Sequence, residues 1–207
     1  SFGNTALESY ERMINLVQQA EKKLTNFKPL SFTTQQLPLK SNSVSTILPL
    51  LRGALGRAAF NKRCSRRWLF DLRSNPLTLE LVNSSHLVDW SCRGVATPDH
   101  VIRTKARPLV LKKPPEISEK DHLVSSNELN VWRDSVEKAL SEYICEYENY
   151  FQRQNKRFNG QKTQLDPLPR LITIPSIGII GVGNTSKSAS ITADIGEAWA
   201  STLIAAE

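Results

Sequence analysis

Histidine, cysteine and methionine are all scarce in this chain of 207 residues, which has three, three and one of them respectively. Cys64, Cys92 and Cys145 stand far apart and are odd in number, which argues against a disulfide framework or a zinc knuckle and fits reduced, packed thiols. His86, His100 and His122 do not share ligand spacing on any one element, so no complete metal site is expected within the chain. No run approaches the roughly 18 apolar residues of a membrane span, and the first residues lack the basic-then-apolar order of a secretory signal. The expectation is a soluble, cytoplasmic protein. A G-x-x-x-G-x-G dehydrogenase fingerprint is also missing, and "GIIGVGNT" at 178–185 has the wrong spacing for G-x-G-x-x-G, so no dinucleotide cofactor is expected in this chain.

What is present is enough for a folded core: 40% of residues are hydrophobic and 23% charged. The net charge of +7 is concentrated between Arg52 and Lys113, where thirteen cations face only Asp71, Glu80, Asp89 and Asp99. An anionic partner is therefore expected to meet this middle stretch. Within it, "KRCSRRWLFDLR" (62–73) sets five cations around Trp68 and Phe70, a combination that can stack on single-stranded nucleic acid. Asp71 interrupts it and no nucleic-acid motif surrounds it, so a solvated face or subunit contact is the more ordinary reading. Cys64 lies between Arg63 and Arg66 but has no histidine on its own element to make it a nucleophile.

The periodicities predict the following order of elements. Thr5 and Glu8 form a capping box that opens a helix fading near Asn26, and Phe27 to Asn42 reads as a connecting loop. A short helix follows over Val44 to Leu55, interrupted by Pro49 and Gly53. A strand is expected over 66–75, then Asn75-Pro76 starts a short helix to Val82, with another around Leu87 to Ser91. Residues 100–111 read as extended, 112–125 as a loop, and 127–156 as the longest helix, with Trp132, Val136, Tyr143, Tyr147 and Tyr150 on a core face. Two short strands surround Pro175, and Thr185 caps a last helix with Ala189, Thr192, Ile195, Trp199 and Leu203 inward. The fold class is α/β, a small, mostly antiparallel sheet flanked by helices.

The end of the chain repeats its beginning: "GVGNTSKSAS" (181–190) and "SFGNTALESY" (1–10) share Gly-Asn-Thr before a helix. Gly3 and Gly183 are expected to supply positive φ and the threonines to cap. Such a strand-to-helix turn can cradle phosphate, or it can simply be satisfied by its own caps.

"SFGNTALESYERMINLVQQAEKKL" resembles the carboxyl-terminal helix of the class II aldolase/adducin domain. "ATPDHVIRTKARPLVL", "YFQRQNKR" and "LDPLPRLITIPSIGIIGVGNTSKSASITADIGEAW" resemble, in order, segments of the bifunctional enzymes that join such a domain to a short-chain dehydrogenase, the rhamnulose-1-phosphate aldolase/alcohol dehydrogenase family. The resemblance implies a partial or degenerate three-layer α/β/α aldolase architecture. Residues 1–26 would be the terminal helix of an aldolase/adducin-like domain, 27–43 a linker, and 44–207 a second α/β region readable as a degenerate copy. It further implies that zinc and NAD belong to the full-length fusion only. The metal histidines would lie upstream of Ser1, and Ile177 holds the place of a ligand in the second copy.

Candidate site residues are Asp99, His100, Arg103 and Lys105, with the turn Gly183, Asn184, Thr185. If 100–105 is extended, Arg103 and Lys105 lie side by side, either as a seat for a sugar phosphate or another small anion, or as the charged solvent face of a strand whose Asp99 and His100 cap a neighbouring turn. No residue is assigned a catalytic or metal-binding role. The function implied is the carboxyl-terminal portion of a class II sugar-phosphate aldolase module in carbohydrate metabolism, not catalytic alone, paired with further copies or with other domains of the same longer chain. The alternative is a non-catalytic binding or assembly module whose basic middle meets an acidic partner.

Overall fold

The structure, a computed structural model, describes residues 2–25, 41–62, 67–115 and 126–206. It divides into two compact units, residues 1–31 with 205–207, and residues 32–204. The expected linker 27–43 lies largely outside the described residues.

The first unit carries α1 (Ala6–Leu24). Thr5 Oγ1 accepts from Glu8 N at 3.1 Å, the capping half of the box read from the sequence, but the Glu8 carboxylate reaches Asn4 N at 2.7 Å, one residue before the cap, instead of Thr5 N. None of its residues is buried.

The second unit is a three-layer α/β/α assembly. Its strands are β1 (Leu69–Arg73), β2 (Leu109–Val110), β3 (Leu171–Ile174) and β4 (Gly178–Gly183), in the order β1-β4-β3-β2. β4 pairs antiparallel with both β1 and β3, and β2 runs parallel to β3. One face, through Ile172, Ile174, Ile180 and Val182, packs on α2 (Ser41–Asn61) and α6 (Ser126–Asn155). The other, through Leu171 and Ile179, packs with Leu81 of α3 (Pro76–Val82), Trp90 of α4 (Leu87–Ser91), and Trp199 and Leu203 of α7 (Ser186–Ala206). All six residues of β4 are buried, as a strand covered on both faces must be; that is why it reads as an unbroken apolar run.

Two expectations need correcting. Pro49 and Gly53 do not shorten the second helix, which runs through to Asn61. Proline removes one backbone donor, but Ile47, Leu51, Ala54, Leu55 and Ala59 form a fully buried stripe that offsets the loss. Gly3 and Gly183 do not have positive φ. They are small because the following helix comes too close: a Cβ on Gly3 would sit 2.5 Å from Ser9 N, and one on Gly183 would collide with Ala189 N, six residues on in both cases. The repeated phrase is therefore a repeated geometry. Gly181 and Gly196 extend the same close seam, Gly181 against the backbone of Ala189 and Ala193, and Gly196 against Leu171 and Ile179.

Asn75 ties together two helices of one layer, α3 and α7. Its Oδ1 accepts from Thr78 N at 3.0 Å, Thr78 Oγ1 accepts from Asn75 N at 3.0 Å, and its Nδ2 donates to the Glu197 carboxylate on α7. Replacing a capping Asn by Ala removes about 1–2 kcal/mol. Asn75→Ala should lower the urea midpoint accordingly with an unchanged slope; an unaltered midpoint would mean that the cap contributes nothing.

Candidate functional site

The segment that carries most of the expected site residues is helical, not extended. Thr97 is extended (φ −136°, ψ 151°) and Pro98 opens a 3₁₀ turn, Pro98–His100, that continues into α5 (Val101–Thr104). Thr104 Oγ1 donates to His100 O at 3.0 Å and locks the turn. The β-branched Val101 and Ile102 suggested a strand, but Thr-Pro starts a helical turn here as Asn75-Pro76 does in α3. The alternation that would align Arg103 with Lys105 is thus absent: Arg103 and Asp99 are exposed, His100 is half-buried and Lys105 is 6% exposed.

Lys105 is the unusual residue. Its φ of 63° and ψ of −177° fall in a region left almost entirely to glycine, at a cost of roughly 1–3 kcal/mol. The conformation is held from several sides. Lys105 N donates to Val101 O at 3.0 Å, Nζ donates to Asp166 O at 2.6 Å, and the single Thr104 hydroxyl proton is shared between His100 O and Lys105 O, each at 3.0 Å. The same Nζ lies 4.0 Å from the centroid of the Tyr147 ring. Loss of hydration lowers its pKa from 10.5 to about 8; the Asp166 carboxylate opposes the shift and the Arg170 guanidinium adds to it. Asp166 and Arg170 are themselves ion-paired, and Arg170 stacks 4.5 Å over the Trp68 ring.

Lys105 borders a cleft of about 380 Å³ between the 105–107 segment and the carboxyl-terminal half of α6, lined also by Arg107, Tyr143, Tyr147, Tyr150 and Arg153. Arg107 pairs with Glu146, while Arg153 has no ion-pair partner among the described residues. Tyr143 donates its hydroxyl to Arg107 O at 3.0 Å, and burial holds its phenol far above the usual value, so it stays protonated. Tyr147 is raised as well, again chiefly by burial. The cleft is thus a cationic mouth on an aromatic floor, of a size that suits a small ligand.

Of the residues singled out in the sequence, only Lys105 reaches this cleft. Gly183, Asn184 and Thr185 do not line it. At that turn Thr185 Oγ1 accepts from Ser188 N at 3.1 Å and Ser188 Oγ accepts from Thr185 N at 3.0 Å, so the cap satisfies itself. Tyr147, Tyr150, Arg107 and Arg153 were not singled out. The signal that was available is three tyrosines at i, i+4 and i+7 followed by an arginine. In the 62–73 cluster, residues 63–66, with Cys64, lie outside the described residues, and Trp68 is buried beneath Arg170.

The described residues do not fit zinc. Among the described residues, no three His, Cys, Asp or Glu side chains converge on a point. His86 stacks on Trp90, 5.6 Å between centroids, and His122 lies outside the described residues. Nor does the β4–turn–α7 unit fit a dinucleotide, because its strand pairs antiparallel on both sides rather than in a parallel βαβ unit. Among the described residues no helix is long and apolar enough to cross a membrane.

Comparison with known proteins places this geometry. Residues 42–207 match the family described as aldolase class II, second domain. A Bacillus subtilis (strain 168) protein named uncharacterized oxidoreductase YuxG is 24% identical over 199 residues, covering 93% of this chain and 26% of its own length. The chain therefore spans about a quarter of that relative. No solved structure matches significantly.

Proposed function

Because this chain belongs to the family of class II aldolase second domains, we propose that it is the carboxyl-terminal portion of a sugar-phosphate aldolase module joined to a short-chain dehydrogenase in a longer polypeptide. The relative's much greater length and its oxidoreductase name support the fusion. In this reading the chain supplies scaffold and a seat for the anionic end of a substrate, and no step of metal-assisted aldol cleavage is assigned to its residues.

The observation that carries the seat is the cleft at Lys105. As an ammonium, Lys105 has three N–H donors. One goes to Asp166 O and one faces the Tyr147 ring, which leaves the third for a ligand. Arg107 and Arg153 add two cations at the mouth against the single carboxylate of Glu146. A phosphate dianion opposes the desolvation that lowers the Lys105 pKa, so it binds the protonated form and loses affinity as pH rises through about 8.

Calorimetric titration with glycerol phosphate at pH 7 should show one site per chain, weakened at least tenfold in Lys105→Met and also weakened in Arg153→Ala. Failure to bind at millimolar concentration, or equal binding by Lys105→Met, would remove the anion seat.

A further inference from the structure

We propose that the free edge of the sheet at β1 is the interface between two copies of this chain: β1 pairs antiparallel with β1 of a second copy about a two-fold axis at Leu72, joining two four-stranded sheets into one. The inference is independent of the anion seat.

Among the described residues the sheet ends at β1 on one side and at β2 on the other. β2 offers a further strand only two residues, directly behind Pro108, whereas β1 offers five residues without a proline. The direction of its free backbone groups follows from the ladder. Val182 N donates to Arg170 O at 2.8 Å, so Val182 and, by alternation, Ile180 turn their backbone groups toward β3. Gly183, Gly181 and Ile179 therefore bond to their register partners on β1, which are Leu69, Asp71 and Arg73. Phe70 and Leu72 are left with N–H and C=O pointing off the edge, and no other strand among the described residues meets them. Such a row of groups is a template for one more strand.

The side chains choose the occupant. Phe70 and Leu72 pack against the core on the side of α2 and α6, so Asp71 and Arg73 lie on the α7 side, where Arg73 reaches Asp71 at 3.2 Å and Asp194 at 2.7 Å. Both remain partly open to solvent, with side chains 30% and 28% exposed. A second β1 can lie antiparallel along the edge, its Phe70 and Leu72 backbone groups facing those of the first, about an axis at residue 70, 71 or 72. An axis at 71 sets Asp71 against the second copy's Asp71, and one at 70 sets Arg73 against its Arg67; like charges directly opposite repel. An axis at 72 sets Asp71 against Arg73 on both sides of the axis, in the non-hydrogen-bonded positions where side chains come closest, about 4.5 Å between Cα atoms. Leu72 then exchanges hydrogen bonds with the second copy's Leu72, and the apolar face toward α2 and α6 continues across the axis. The order of charges along β1 thus refuses the other alignments and accepts one, and that one is self-complementary, as a closed two-fold contact requires.

Sedimentation equilibrium on the unmodified chain, carried up to about 0.5 mM because an edge contact is small, should show a reversible monomer–dimer equilibrium. Asp71→Lys, which sets cations opposite each other on both sides of the axis, should raise the dissociation constant at least about tenfold. Two cysteine variants that leave the charges in place fix the register. Under mild oxidation Leu72→Cys should be captured as a dimer bridged through residue 72, read by peptide mapping, whereas Phe70→Cys, which only an axis at 70 brings together, should not bridge through residue 70. A chain that stays monomeric over the whole concentration range overturns the proposal. So does a dimer that Asp71→Lys leaves unchanged, or one that bridges through 70 as readily as through 72.

Discussion

Gly181→Val will unfold the second unit or bring it close to unfolding. A side chain at 181 on β4 would fall on the Ala189 carbonyl oxygen and 2.5 Å from Ala193 N, and both are backbone atoms of α7 that no rotamer change can move aside. Overpacking a core usually removes 1–3 kcal/mol. Here relief requires α7 to lift from the sheet, which breaks the contacts of Trp199 and Leu203 as well, so the loss should be at least about 3 kcal/mol. Gly56 is the control: in the interior of α2, with nothing within 4 Å of its missing Cβ, Gly56→Ala should be neutral or stabilising by up to about 1 kcal/mol. Urea denaturation of the two variants side by side decides the matter, and equal midpoints would show that the close seam between α7 and β4 is wrong.

The second large effect is in the pH dependence of stability. Lys105 is lowered from 10.5 to about 8 in the folded chain, so between these values the unfolded chain carries a proton at residue 105 that the folded chain has lost. Stability therefore rises with pH through that window, and below pH 8 both states are protonated and the burial of the charge is fully felt. The shift corresponds to on the order of 3 kcal/mol across the whole window. Tyr143 and Tyr147 act in the opposite sense: they are raised above 10.0, so above that pH the unfolded phenols ionise first and stability falls. The chain should be most stable near pH 10. Lys105→Met should lose the rise between 8 and 10 and keep the fall above it. An identical profile in wild type and variant would show that Lys105 is not the group responsible.

The layers of the fold could be read from periodicity because burial there is one-sided. The α6 stripe at Trp132, Val136 and Leu140, the β3–β4 hairpin around Pro175 and the capped starts of α3 and α7 all follow from local rules. The mixed α/β class and the mostly antiparallel sheet are as expected. Residues 98–104 misled because the β-branched pair Val101-Ile102 was weighed above the helix-starting Thr97-Pro98. The glycines of the repeated phrase were marked correctly but for a conformational reason, whereas the cause is steric and depends on how near the helix lies.

The site was less accessible for a different reason. Its walls come from two segments about forty residues apart, 105–107 and 143–153. Tyr147 and Tyr150 continue the same helical stripe as the core, and nothing local marks where cover ends. The last ion pair between the α2 end and α6 is Lys62 to Glu148, among the described residues, and near this level the stripe changes from core to cleft wall. Lys105 was named for an anion, but its backbone geometry and its Asp166 and Tyr147 partners arise only in three dimensions.

The strand order also governs how the chain must emerge from the ribosome. β1 finds its hydrogen-bonding neighbour β4 only after about 110 more residues are made, and β2 waits roughly 60 for β3. Throughout that interval Phe70, Leu72 and Leu109 belong to a nascent polypeptide with no sheet to join, the state in which aggregation competes with folding. The hairpin synthesised last is the centre of the sheet, so any product terminated before Leu171 is left with two orphan strands and should be a client of chaperones and proteases.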